Sequence, residues 1–246
     1  MRALVLSDIH GNLEALRAVM SRVRRKKFDQ IVCLGDFVGY GAHPNQVIDM
    51  MREQPGTKLY VRGNHDRVAA GLEEGQGFNA EAREAAVWTR GKLSARNRRF
   101  LENLPVGPVP FENVLICHGS PYHEDEYVFT ERHAAQVLSE FEARFVLHGH
   151  THLASMFWFD GDDRLGGTLV PTAETFRLDP AMQYLINPGS VGQPRDRNPE
   201  ASFVIFDSER LTAQFFRVPY NYEKTQKAIL KAGLPRVLAD RLAFGT

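Results

Sequence analysis

Five short apolar runs in this chain each give way to residues able to bind a cation or move a proton. Ala3-Leu4-Val5-Leu6 runs into Ser7-Asp8-Ile9-His10, Ile31-Val32-Cys33-Leu34 into Gly35-Asp36, and Leu59-Tyr60-Val61 into the stretch containing Gly63-Asn64-His65-Asp66. Val114-Leu115-Ile116-Cys117 is followed by His118-Gly119, and Phe145-Val146-Leu147 by the stretch containing Gly149-His150-Thr151-His152. Apolar runs of this length, bounded by turn residues, read as buried strands. Helical spacing separates the first three: Leu13, Leu16, Val19, Met20 and Val23 within residues 12–27, then Val47, Ile48 and Met51 after Pro44. Strands alternating with helices over short connections predict parallel pairing and right-handed crossovers. Open sheets of that kind bind ligands outside the carboxyl ends of their strands. The polar residues all stand at that end, which makes it an active-site edge.

Further along, residues 79–104 break the alternation with a mostly helical insertion that ends at Leu104-Pro105. Its Trp88, Leu93, Phe100, Leu101 and Leu104 read as core packing, with a cap over the pocket as the alternative. From Val109 the pattern is strand-rich, with strands expected at 113–117, 144–147, 154–159, 165–170, 183–187, 202–207 and 211–217. An acidic loop (Glu124-Asp125-Glu126) and a helix at about 130–141 interrupt them. The aspartates of Asp160-Gly161-Asp162-Asp163 are turn formers rather than ligands. A helical extension is expected from about residue 220. With no repeat, low-complexity tract or linker, the expectation is one α/β domain over residues 1–246 containing two sheets.

Charge excludes some functions. With 30 basic and 30 acidic residues the net charge is zero, so nothing drives the chain electrostatically onto a nucleic-acid polymer or an anionic membrane. The basic clusters at 22–27 and 90–99 are solvated helix faces. No apolar run approaches the ~18 residues of a membrane span. The first residues enter a strand without the pattern of a signal peptide, so a cytoplasmic location is expected. Cys33 and Cys117, each late in an apolar run, read as buried free thiols rather than a disulfide.

The strand ends supply Asp8, Asp36, Asn64, His10, His118, His150 and His152. That is more than one four-coordinate cation can use. A dinuclear centre with a shared carboxylate accommodates them. Two divalent cations against two aspartates leave a charge of about plus two, which attracts a phosphoryl oxygen and a hydroxide. Imidazole mixed with carboxylate suits manganese, iron, zinc, cobalt or nickel better than calcium, with magnesium less suited. Alternate residues of an extended segment face one way. His148, His150 and His152 share that parity, so spacing leaves open which two of them bind.

In this order, Asp8-x-His10, Gly35-Asp36, Gly63-Asn64-His65-Asp66, His118 and Gly149-His150-x-His152 resemble the calcineurin-like metallophosphoesterase superfamily over residues 3 to about 217. Ser7-Asp8-Ile9-His10-Gly11-Asn12, Gly35-Asp36-Phe37-Val38-Gly39-Tyr40-Gly41 and Asn187-Pro188-Gly189-Ser190 resemble its small prokaryotic phosphodiesterase branch. The resemblance implies the metallo-dependent phosphatase fold, a four-layer α/β/β/α sandwich of two mixed sheets flanked by helices. It implies two divalent metal ions, manganese preferred. Asp8, His10, Asp36 and His152 would hold one, and Asp36, Asn64, His118 and His150 the other. Asp36 bridges, and His148 stays outside.

The mechanism so implied is in-line attack on phosphorus by a metal-bound hydroxide, with His65 protonating the departing alkoxide as general acid. Asp66 either orients an imidazole or caps the following helix. Protein Ser/Thr phosphatases of this superfamily carry an Asp-Arg pair a few residues after the first Gly-Asp, where this chain has Gly39-Tyr40. The missing guanidinium removes a bidentate partner for a doubly charged monoester and matters less to a singly charged diester. The resemblance therefore implies a phosphodiesterase for small phosphodiesters of cyclic nucleotide or dinucleotide type. The alternatives are a phosphomonoesterase, a dinucleoside polyphosphate hydrolase or a protein Ser/Thr phosphatase on the same metals, a repair-type nuclease, and an inactive scaffold of the same fold. A scaffold would be expected to lack His65, and a nuclease to carry a basic groove. Asn64, Arg195 and Tyr40 are the candidate substrate contacts, against a loop arginine and a packing aromatic as the plainer readings of the last two. His43 and His133 read as surface residues, His123 as one that could edge the pocket, and His148 as structural.

Overall fold

The computed structural model describes residues 1–141 and 143–246. Its first part is β1 (Arg2–Leu6), α1 (Leu13–Val23), β2 (Gln30–Cys33), α2 (Pro44–Glu53) and β3 (Thr57–Tyr60), followed by α3 (Asn64–Ala70), α4 (Ala80–Lys92) and α5 (Ala95–Glu102). The remainder is β4 (Val109–Phe111), β5 (Val114–Ile116), α6 (Glu131–Phe141), β6 (Phe145–Leu147), β7 (Ala154–Phe159), β8 (Leu165–Leu169), β9 (Glu174–Arg177), β10 (Gln183–Pro188), β11 (Ala201–Asp207), β12 (Thr212–Val218), α7 (Tyr222–Lys231) and α8 (Arg236–Asp240).

The strands form two six-stranded sheets, in the orders β3-β2-β1-β11-β12-β9 and β4-β5-β6-β10-β7-β8. Each is mixed. In the first, β1, β2 and β3 run parallel and β11 joins β1 antiparallel. In the second, β5, β6 and β10 run parallel while β4 and β7 pair antiparallel.

Strand alternation explains why the sheets stack. Successive side chains of β1 point to opposite faces. Ala3 and Val5 meet Val32, Phe145, Leu147 and Phe206 between the sheets, whereas Leu4 and Leu6 meet Leu16, Val19, Ile48 and Met51 of the helices outside. The outer face of the second sheet is covered by α6 through Ala134, Val137 and Leu138, which pack on Val146 and Leu185. The result is the helix–sheet–sheet–helix layering implied by the resemblance. Truncating a wholly buried side chain such as Leu4 to alanine costs about 2–5 kcal/mol.

Some boundaries differ from the sequence expectation. The first helix stops at Val23 rather than near residue 27, because Arg24 and Arg25 are exposed and no apolar residue extends the buried stripe. The stretch 79–104 is two helices, since Leu93 takes an extended conformation and Ser94 caps α5 by accepting from the Asn97 amide. The short edge strand β9 had no alternating apolar signal, three of its four residues being exposed. A fourth apolar cluster joins Ala82 and Ala85 of α4 to Ile229, Leu238 and Leu242 of the C-terminal helices, with Tyr40 among them. Among the described residues, no helix is long and apolar enough to cross a membrane.

Candidate metal centre

The strand-end loops are held together by their own backbones. Asp8 N donates to Gly35 O (3.1 Å), His10 N to Asp36 O (2.9 Å), Gly149 N to His118 O (2.7 Å) and Gly192 N to Asp8 O (2.9 Å). These bonds force unusual conformations. Asp8, His10, Asp36, His150 and His152 all have positive φ, at 53°, 49°, 54°, 65° and 59°. Such a conformation costs a non-glycine residue about 1–3 kcal/mol and concentrates at functional sites. Close approach also demands glycine: a Cβ on Gly63 would overlap Asp36 Oδ1, and one on Gly149 would overlap Ser7 Oγ. Asn187, wholly buried, fixes the last loop by donating from Nδ2 to Gly149 O (2.7 Å) and Thr151 Oγ1 (3.0 Å).

Two groups of donor atoms result. Asp8, His10, Asp36 and His152 form one, and Asp36, His118 and His150 the other, with the donor atoms of each within 4.8 Å of one another. Asp36 Oδ2 lies 3.5 Å from His10 Nε2 and 3.4 Å from His118 Nε2, while its Oδ1 accepts from the His65 amide at 2.9 Å. Asp8 Oδ1 is 3.3 Å from His152 Nε2. Asn64 Oδ1 stands 3.2 Å from His118 Nε2, beside the second group. All seven residues are at most 7% exposed. His148, also buried, stands outside both groups.

Each imidazole is oriented by a backbone carbonyl. His10 Nδ1 donates to Val38 O (3.0 Å), His118 Nδ1 to Leu34 O (2.7 Å) and His152 Nδ1 to Gln193 O (2.6 Å). A carbonyl only accepts, so Nδ1 carries the proton and Nε2 faces the group. His150 is reversed, with Nε2 donating to Asp125 O (3.2 Å) and Nδ1 left free. A second ring nitrogen bound in this way is how proteins fix the tautomer and aim of a metal-binding histidine. Burial holds His10 and His152 well below the usual imidazole range and His150 at about 3, leaving them with the lone pair that a cation takes. Burial also lowers His118, but the Asp36 carboxylate outweighs it and lifts His118 to about 10, so loading a cation there releases a proton. Burial and the nearby Asp36 charge raise Asp8 to about 7.

The donor set fits divalent metal ions. Asp8 Oδ1 and Asp36 Oδ2 are buried without a hydrogen-bond partner, and His10 Nε2 and His152 Nε2 face each other at 3.1 Å with their other nitrogens committed. Buried carboxylate oxygens left unpaired are costly. Asp36 belongs to both groups, so the buried His/Asp clusters are consistent with a dinuclear site.

A cavity of about 390 Å³ opens beside the centre, lined by Tyr40, Asn64, His65, Phe78, Tyr127 and Arg195 among others. His65 belongs to neither donor group. Its ring lies between Tyr40 (4.4 Å) and Phe78 (4.5 Å), and burial holds it at about 4. Asp66 does not meet that ring: its carboxylate accepts from the Gly63 amide (3.1 Å) at the start of α3 and from the Val38 amide (3.2 Å). Arg195 approaches the Tyr40 hydroxyl (3.4 Å) and Gln193 Oε1 (3.3 Å), its Nε is buried without a partner, and among the described residues it makes no ion pair. Asn79 and Ala82, where α4 begins, also border the cavity. The side chain of His123 is 62% exposed and does not line it.

Sequence reasoning missed Phe78, Tyr127 and the partners of the acidic loop. Tyr127 stacks on His150 at 4.0 Å, and Phe129 stacks on Tyr127. Two exposed aromatics directly after an acidic run were the available signal.

Known proteins are similar to this chain along almost its whole length. An uncharacterised protein of Methanocaldococcus jannaschii is 37% identical over 246 residues, covering 98% of this chain and 97% of that protein. A metallophosphoesterase from Sphaerobacter thermophilus is 36% identical, with a TM-score of 0.87 over all of this chain and 99% of its own. A hypothetical protein from Pyrococcus horikoshii, 20% identical with a TM-score of 0.81 over 100% of this chain and 98% of its own, shares the fold. The family model of the calcineurin-like phosphoesterase superfamily domain matches residues 1–210, which include every strand-end residue of both donor groups. The protein is a member of the calcineurin-like phosphoesterase superfamily, close to small prokaryotic metallophosphoesterases.

Proposed function

We propose that this metallophosphoesterase is a phosphodiesterase acting on small phosphodiesters of cyclic nucleotide or dinucleotide type. The observation that carries the reading is the charge and shape of the cavity. Tyr40 stands where a phosphatase would place its phosphate-gripping arginine, and it is packed on His10 and His65. Of the two arginines in the cavity lining, Arg67 is ion-paired, while Arg195 makes no ion pair among the described residues and is left to meet one phosphoryl charge. The faces of Phe78 and Tyr127 give an aromatic lining suited to a nucleobase.

In this reading Asp8, His10, Asp36 and His152 hold one cation, and Asp36, Asn64, His118 and His150 the other. The pair, manganese by preference, supplies Lewis acidity at the phosphoryl oxygens and lowers the pKa of a water. Arg195 orients the diester, with Asn64 and Tyr40 beside it. His65 gives its proton to the departing alkoxide. Burial alone disfavours the imidazolium, and the anionic ester entering the cavity supplies the counter-charge that favours it. Tyr40 and Phe78 limit the ring's freedom, so the proton is delivered in one direction. Asp66 supports the site by tying the first turn of α3 to the loop at Val38. We read residues 1–246 as one domain, and its two buried free cysteines as fitting the reducing cytoplasm.

The test is a side-by-side assay of bis-(p-nitrophenyl) phosphate and the corresponding monoester with added manganese. The diester turns over with the higher kcat/KM. Turnover of the monoester alone would overturn the diesterase assignment.

A further inference from the structure

Three of the four oriented imidazoles lean on carbonyls of residues at most 2% exposed: Val38, Leu34 and Gln193. The fourth, His150, leans on Asp125, whose side chain is 37% exposed in the acidic loop. That loop is held by a compact set of ion pairs. Arg67 of α3 donates from Nη1 to Glu124 Oε1 and from Nη2 to Asp125 Oδ2 (2.7 Å), while its Nε lies 2.6 Å from Glu73 Oε2. Arg62 also reaches Glu124, through Nη2 to Oε1 (3.1 Å) and Nε to Oε2 (3.4 Å). The Glu124 side chain is 6% exposed and those of Arg62 and Arg67 13% and 14%, so solvent screens the pairs on Glu124 little. The guanidinium fork of Arg67 fixes two consecutive loop residues at once, which a point charge cannot do.

We infer that Arg67 is a positioning residue for the second metal: by clamping Glu124 and Asp125 it holds the carbonyl that aims His150 Nδ1. Its location suits the task, because Arg67 lies on the helix that begins with Asn64. One rigid element therefore carries Asn64, beside the second group, and sets the aim of His150 within it. The same loop presents Tyr127, whose ring backs His150 at 4.0 Å, so displacement of the loop releases both restraints on the imidazole. His152, held by Gln193, is independent of the clamp.

The inference rests on the dinuclear reading, and the experiment separates the two. Metal-free wild type, Arg67→Met and Arg67→Lys are titrated with manganese, following binding by calorimetry and the spin-coupled pair by electron paramagnetic resonance. Wild type binds two ions; failure to do so overturns the dinuclear reading and the inference with it. In Arg67→Met the second ion binds about 10- to 100-fold more weakly, the usual cost of losing an outer partner of a metal-binding histidine. The first ion keeps its affinity. Arg67→Lys falls between, because it restores a charge without the fork. The singly loaded spectrum of Arg67→Met matches that of singly loaded His150→Gln and not that of His152→Gln. Glu124 retains Arg62 in these variants, so no buried carboxylate is orphaned and folding is preserved. Wild-type affinity at both sites in Arg67→Met, or equal weakening of both, would overturn the inference.

Discussion

Replacing His65 by alanine isolates proton donation from metal binding. The side chain touches Tyr40, Phe78 and the edge of His10 but is in neither donor group, and the amide that bonds Asp36 Oδ1 at 2.9 Å survives the change. Metal content should therefore stay at the wild-type value. A positioned acid is worth about 10²–10⁴ in rate, or roughly 3–5 kcal/mol of transition-state stabilisation. That loss depends on the leaving group. An alkoxide needs a proton as it departs, so a dialkyl or nucleoside diester should lose the full amount. A nitrophenolate leaves unaided, so bis-(p-nitrophenyl) phosphate should lose about tenfold or less. The assay is kcat for both esters in wild type and His65→Ala, with metal content measured on the same samples. Equal losses on the two esters would refute the acid role. Loss of metal would refute the separation of His65 from the donor groups.

Other substitutions probe the rest of the site. Asp36→Asn should strip both cations together, because Oδ2 lies between His10 and His118; metal analysis showing one ion retained would exclude bridging. Arg195→Met should lower kcat/KM for the diester about 10- to 100-fold, as a lost charge-assisted contact is worth about 1.5–3 kcal/mol, with metal content unchanged. An unaltered kcat/KM would remove Arg195 from the substrate site. Asn187→Ala deletes three buried hydrogen bonds, to Gly149 O, Thr151 Oγ1 and the Gly189 amide, and should cost about 1–3 kcal/mol. At this size, Tm should fall by about 2–4 °C for each kcal/mol, and a Tm equal to wild type would show that the loop holds its own shape.

The edge of the site was legible because strands have a period and their ends do not. Apolar runs such as Val114-Leu115-Ile116-Cys117 make the following His118 conspicuous, and the alternation of β1, β2 and β3 with α1 and α2 predicts that Asp8, Asp36 and Asn64 share one end of the first sheet. Parity did not choose among His148, His150 and His152, and the backbone shows why. The argument assumes an extended segment, whereas His150 and His152 are left-handed at φ 65° and 59°. The pairing of Arg67 with Glu124, 57 residues apart, was hidden for another reason: it depends on the path of a loop that no hydrophobic pattern encodes. Exposure hid β9 in the same way. The place of Asp66 needed the fold of the Val38 loop, 28 residues away, before its second hydrogen bond could be seen.

The packing of Tyr40 against Ile229, Leu238 and Leu242 ties the cavity wall to the far end of the chain. Those three partners lie beyond residue 210, where the match to the shared family domain ends. Both donor groups stand on strand ends inside that match, while Tyr40, on one wall of the cavity, is propped by residues outside it. A substitution in α7 or α8 is therefore felt at the cavity wall through Tyr40, and through Tyr40 at the rings of His10 and His65.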